Sequence, residues 1–108
     1  MDAFITTFIN KLLSFPADKL IVTACDDEFS GYEVAYREND INVFSFFIYH
    51  YTDSYKVEIT YYKGTFRNTY SLTKEEYSSI VDKIKAVRAI NSDYMMNKII
   101  QELDARLS

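Results

Sequence analysis

Residues 41–70 read INVFSFFIYHYTDSYKVEITYYKGTFRNTY. Ten of the twenty-seven positions from Phe44 to Tyr70 are aromatic: Phe44, Phe46, Phe47, Tyr49, Tyr51, Tyr55, Tyr61, Tyr62, Phe66 and Tyr70. Aromatic side chains supply large buried area, and Tyr adds a polar tip, so such a run suits a sheet core or a partner-binding surface. Periodicity separates the two uses in the second half of the run. Val57, Ile59 and Tyr61 alternate with Lys56, Glu58 and Thr60, the pattern of a half-buried strand, and Lys63-Gly64 follows as a tight turn. With those two residues as the loop, Tyr61 falls opposite Phe66, Ile59 opposite Asn68 and Val57 opposite Tyr70. The spacing therefore predicts a hairpin with one apolar face.

The strand over 41–51 does not divide in this way. Its odd positions include Ile41, Val43, Phe47, Tyr49 and Tyr51, and its even positions Phe44, Phe46, Ile48 and His50. A loop of two residues at Glu38 to Asp40 and a loop of three put opposite faces toward the core, so the pattern leaves the core face open. Antiparallel sheets usually have one solvated face. Whichever face packs inward, the other needs cover from a helix, a second copy of the chain or a partner.

Working outward, Leu20 to Cys25 is a short apolar run, and Tyr32, Val34 and Tyr36 alternate with Glu33, Ala35 and Arg37, which predicts two further strands. Before them, Phe4, Ile5, Phe8, Ile9, Leu12 and Leu13 follow a helical spacing, with Asp2 placed to cap the start and Pro16 to stop the end. This segment has an acid at Asp2, recurrent polar residues and too little length for a membrane span, so it is expected to be mature structure and not a leader or anchor. After the strands, Thr73-Lys74-Glu75-Glu76 matches the capping box, and Tyr77, Ile80, Val81, Ile84 and Val87 form a helical stripe. Asn91-Ser92-Asp93 predicts a break and a new cap. Met96, Ile99, Ile100, Leu103 and Leu107 would then be the stripe of a second helix.

The expected architecture is a single α+β domain over 1–108, with an N-terminal helix, an antiparallel β-meander of four to five strands and two C-terminal helices. Two glycines, one proline, 48% apolar and 26% charged residues fit a folded domain and not a disordered one. One cysteine, Cys25, excludes an internal disulfide. Its apolar neighbours predict a buried thiol, and a reducing cytoplasm is the natural location.

The residues offer little catalytic chemistry. One histidine, His50, sits in an aromatic strand, and a dyad with Cys25 has nothing in the sequence to assemble it. Two isolated glycines cannot build a phosphate loop, zinc-ligand spacing is absent, and the consecutive acids Asp26, Asp27 and Glu28 are ordinary turn residues. No catalytic residue, metal or cofactor is assigned. Charge is more informative: Asp26, Asp27, Glu28, Glu33, Glu38 and Asp40 face one base, Arg37, within fifteen residues of a chain of net charge −4. Tyr62 beside Lys63 and Arg67 is the best position for nucleic acid, but an acidic chain disfavours direct binding.

These features predict a small acidic protein-binding domain that inhibits or neutralises a basic, nucleic-acid-handling protein, of the toxin-immunity or phage anti-defence type. The six acids of 26–40 would steer docking, and Phe44, Phe46 or Phe47, Tyr51 and Tyr62 are the candidate anchors. The alternative is a ligand-binding or enzymatic domain with an aromatic-lined cavity, in which His50, Tyr49 and Tyr51 would supply the polar groups. Homodimerisation through the spare strand face is compatible with both.

Overall fold

The computed structural model describes residues 3–26 and 31–107. The chain is α+β: α1 (Ala3–Ser14), a short 3-10 turn at Ala17–Lys19, then β1 (Leu20–Asp26), β2 (Gly31–Glu38), β3 (Ile41–Tyr51), β4 (Ser54–Tyr61), β5 (Phe66–Leu72) and α2 (Lys74–Leu107). The five strands form one antiparallel sheet in sequential order. The β4–β5 hairpin has the expected register, with Tyr61 opposite Phe66, Ile59 opposite Asn68 and Val57 opposite Tyr70.

The core face of β3 is decided by a bulge. Asn39 and Asp40 both have positive φ (53° and 65°), as a two-residue type I′ turn requires, and Glu38 pairs with Ile41. Carried onward, that register would put Phe47 opposite Tyr32 on the inner face. Instead Tyr36 pairs with Phe44 while Arg37 pairs with Asn42, so Val43 is an extra residue and every later side chain is moved to the other face. The Val43 carbonyl is occupied, accepting the Tyr62 N–H at 3.0 Å. Phe44, Phe46 and Ile48 thus join Val34, Val57 and Ile59 on the inner side.

Both helices cover that one face. Ile5, Ile9 and Leu12 of α1 are buried, with Phe8 edge-on to Phe46 (5.8 Å) and Phe15 edge-on to Tyr36 (5.5 Å). The capping box starts α2 as expected: the Thr73 N–H donates to Glu76 Oε1 (2.7 Å) and the Glu76 N–H to Thr73 Oγ1 (3.1 Å). Tyr77, Ile80, Ile84 and Val87 are its buried stripe. Lys83 of α2 donates to the Leu13 and Phe15 carbonyls, placing a cation at the C-terminal end of α1.

Two expectations are corrected. There is one C-terminal helix and not two, because Asn91, Ser92 and Asp93 disfavour helix only mildly and there is no Gly or Pro among them to end it. Asn91 serves the sheet: its Oδ1 accepts the Val22 N–H (3.0 Å) and its Nδ2 donates to the Leu20 carbonyl (3.1 Å), so the amide does for the open edge of β1 what a sixth strand would do. Asn91→Ala should lower unfolding free energy by about 1–2 kcal/mol in urea titration, since a backbone donor and acceptor lose their partner. The second correction is Cys25, which is exposed. It follows an irregularity between Val22 and Ala24 on the edge strand and borders an open pocket between β1 and α2.

Candidate partner-binding surface

With Phe44, Phe46, Ile48 and His50 turned inward, the odd residues of β3 project from the face that carries neither helix. Phe47, Tyr49 and Tyr51 make a ladder along the central strand, Phe47 stacked on Tyr49 (5.4 Å) and Tyr49 edge-on to Tyr51 (5.6 Å). Its two ends are exposed, Phe47 at 36% and Tyr51 at 70%, and Tyr49 between them is half-buried. The inner end is fixed by Gly31, where an added Cβ would come 3.3 Å from the Phe47 ring, so the ring lies across backbone that a side chain would obstruct. Tyr62 extends the surface at the other end, its hydroxyl 2.9 Å from the Ser45 hydroxyl.

Strand register places charge beside the rings. Glu33 of β2 and Glu58 of β4 pair with Phe47 from opposite sides, and Lys56 pairs with Tyr49. Glu33 accepts from the Thr23 hydroxyl (2.7 Å), Glu58 lies 3.8 Å from Arg67 Nε, and Lys56 donates to the Ser71 hydroxyl (2.7 Å). The Phe47 end of the ladder is therefore an aromatic surface bracketed by two carboxylates. A polyanion approaching Phe47 would meet both, which opposes nucleic acid and suits a cation.

The residues singled out from sequence are distributed differently. Glu33 and Tyr62 lie on this face. Phe46 is 1% exposed and belongs to the core, so it cannot be a contact anchor, and Phe44 is half-buried on the same inner side, stacked on Tyr36 (5.5 Å). Both follow from the Val43 bulge. Glu38 and Asp40 sit at the β2–β3 turn. Glu38 accepts from the Tyr36 hydroxyl (3.0 Å), a hydrogen bond that holds the phenol above its usual range, and lies 3.9 Å from Lys63. Asp26 ends β1 opposite Gly31, at the other end of β2, and Asp27 and Glu28 lie outside the described residues. The length of β2 separates the two ends by roughly 23 Å, so Asp26 lies far from Glu38 and Asp40. Tyr49 was a candidate only for the cavity reading and Glu58 was not a candidate, and the signal that places Tyr49 on this surface is the odd-position alternation once the register is known.

His50 is a packing residue, stacked on Tyr55 (4.5 Å, 3°), with Nε2 2.9 Å from the Thr52 carbonyl oxygen. Cys25 pairs with Tyr32, and Tyr32 with Ile48, which sets the thiol two strands and two residues away from His50, roughly 12 Å. The two do not form a dyad. No group of three or more metal-ligating side chains occurs among the described residues, and no helix there is long and apolar enough to cross a membrane. An aromatic-lined cavity does exist, a groove of about 770 Å³ on the inner face, but its lining includes none of His50, Tyr49 or Tyr51. Comparisons with protein-family models, with curated proteins and with solved structures gave no match.

Proposed function

We propose that the chain is a protein-binding domain acting in the cytoplasm, and that it neutralises a basic, nucleic-acid-handling protein by occupying a cationic surface of it. One observation carries the proposal: the Phe47–Tyr49–Tyr51 ladder is left without a helix over it, and Glu33 and Glu58 flank it. A planar guanidinium stacks on an aromatic face and donates in its own plane to carboxylates, so rings beside acids favour Arg on the partner over Lys. No catalytic group is required for inhibition by occupation. Electrostatic steering would come from Glu33 and Glu58, and affinity from the exposed rings.

The test is titration against a panel of purified basic nucleases and effectors, with a labelled Arg-rich peptide and its Arg-to-Lys counterpart as controls. Binding to at least one panel member and preference for the Arg peptide are expected. Phe47→Ser with Tyr51→Ser, and separately Glu33→Lys with Glu58→Lys, should each weaken binding at least about tenfold, as loss of a central anchor does. Absence of binding across the panel, or equal binding by the variants, would sink the proposal.

A further inference from the structure

Two apolar features on this chain face solvent, and neither belongs to the ladder. The first is the groove. On the inner face α2 lies over the His50–Tyr55 end of the sheet and α1 beside it, and beyond α1 the strand ends are bare. β3 has 11 residues, roughly 36 Å at strand rise, whereas two helices about 10 Å wide cover roughly 20 Å of it. The remainder is about one helix wide. It is floored by Phe44, Tyr61 and Phe66, walled by Phe4 and Phe8 of α1 and by Phe15 just after it, and Lys11 is the one charged residue in its lining.

The second feature is the end of α2. Past Asn91 only Ser92, Tyr94 and Met95 still border the edge of β1, and residues 92–107 are exposed throughout. Yet Met96, Ile99, Ile100, Leu103 and Leu107 form a regular stripe at 53–85% exposure. At about 100° per residue this stripe is turned roughly 130° from the Tyr77–Val87 stripe that grips the sheet. Continuous with its helix but out of phase with it, the second stripe faces away from the side that grips the sheet. A four-turn helix without a packed face is marginal in water, so a partner covering the stripe would also stabilise it.

We propose that the occupant of the groove is the α2 tail of a second copy of this chain, exchanged reciprocally in a two-fold dimer. The tail cannot enter its own groove, because α2 is one unbroken helix leaving over β1 while the groove lies across α1 on β3–β5. The surfaces match in kind: an apolar helical stripe bordered by Asp93 and Asp104, and an apolar trough with a lysine in its wall. They match in amount as well. The five stripe residues with Phe4, Tyr61 and Phe66 expose on the order of 800 Å² per copy, what each side of a standard stable interface contributes. Reciprocal exchange closes with two copies and leaves both ladders outside the contact.

Light scattering coupled to gel filtration tests this, since a closed pair has twice the 12.7 kDa chain mass. Ile100→Asp with Leu103→Asp on the tail, and separately Phe66→Glu in the groove, should each raise the dimer dissociation constant at least about tenfold and leave the monomer melting cooperatively. The tail variant alters only residues that are more than half exposed in the monomer, so it keeps the test valid if the groove variant misfolds. Mixing the two variants is decisive, because one intact tail and one intact groove remain. A heterodimer forming where neither variant pairs with itself supports the exchange. A wild-type monomer at all concentrations overturns the proposal, as does a groove variant that dimerises like wild type, which would mean that tails pair with tails. Failure here leaves the ladder proposal standing, because Phe47, Tyr51, Glu33 and Glu58 are unaltered.

Discussion

Phe46→Ala is expected to lower the unfolding free energy by about 3–5 kcal/mol, and Phe47→Ala, one residue along the same strand, by less than about 1 kcal/mol. Phe46 is enclosed by Phe8, Val34 and Ile59, and removing its ring leaves a cavity that a sheet with helices packed on it cannot collapse to fill. Phe47 is partly solvated already and loses mainly its stacking on Tyr49. For a domain of this size, with about 5–15 kcal/mol to lose, the first change removes a large part of the total and should shift the melting midpoint by roughly 15–30 °C. Urea and thermal unfolding of the two variants side by side measure the difference. Binding to a basic partner should respond in the reverse order, with Phe47→Ala the damaging change. Equal destabilisation by both would mean that β3 is covered on both faces, and the candidate surface would be lost with it.

That pair of residues also marks where sequence reading stops. The β4–β5 register, the Thr73 capping box and the α1 boundary at Pro16 were legible because each depends on neighbours within a few positions. The face of β3 was not, because it depends on parity. A two-residue turn at Asn39-Asp40 and one extra residue at Val43 together have the parity of a three-residue loop, and nothing in the side chain of Val43 announces a bulge. The spread of Asp26, Glu33 and Glu38 along β1 and β2 was hidden for a related reason: proximity in sequence along an extended strand is distance in space, since each residue adds about 3.3 Å. The α2 tail misled in another way. Two stripes out of phase by roughly 130° suggest two helices if both must pack on one sheet, and a single helix if they serve different bodies. Asn91 joined the error, because an Asn before Ser-Asp resembles a cap, whereas its amide bonds across to β1.

A proline placed at either of two sites on α2 separates these roles. Lys85→Pro is expected to cost about 3 kcal/mol or more, because the ring removes one hydrogen bond and clashes with the carbonyl one turn back, kinking the helix in the turn that carries Ile80 and Ile84, both of which are buried. Asp93→Pro introduces the same chemistry eight residues later, and the sheet domain should melt within about 0.5 kcal/mol of wild type, because the sheet-facing stripe ends at Val87 and the amide bonds to β1 end at Asn91. Ser92 would then be the residue before a helical Pro, an arrangement that starts helices, so the substitution builds the break that the tripeptide only suggests. The tail would no longer leave in a fixed direction. The long dimension of 58 Å owes much to that direction, and small-angle scattering of the variant should report a shorter and broader distribution. If Asp93→Pro destabilised the sheet as much as Lys85→Pro, residues beyond 91 would have to be packed on their own domain, and the tail would not be available to a second copy.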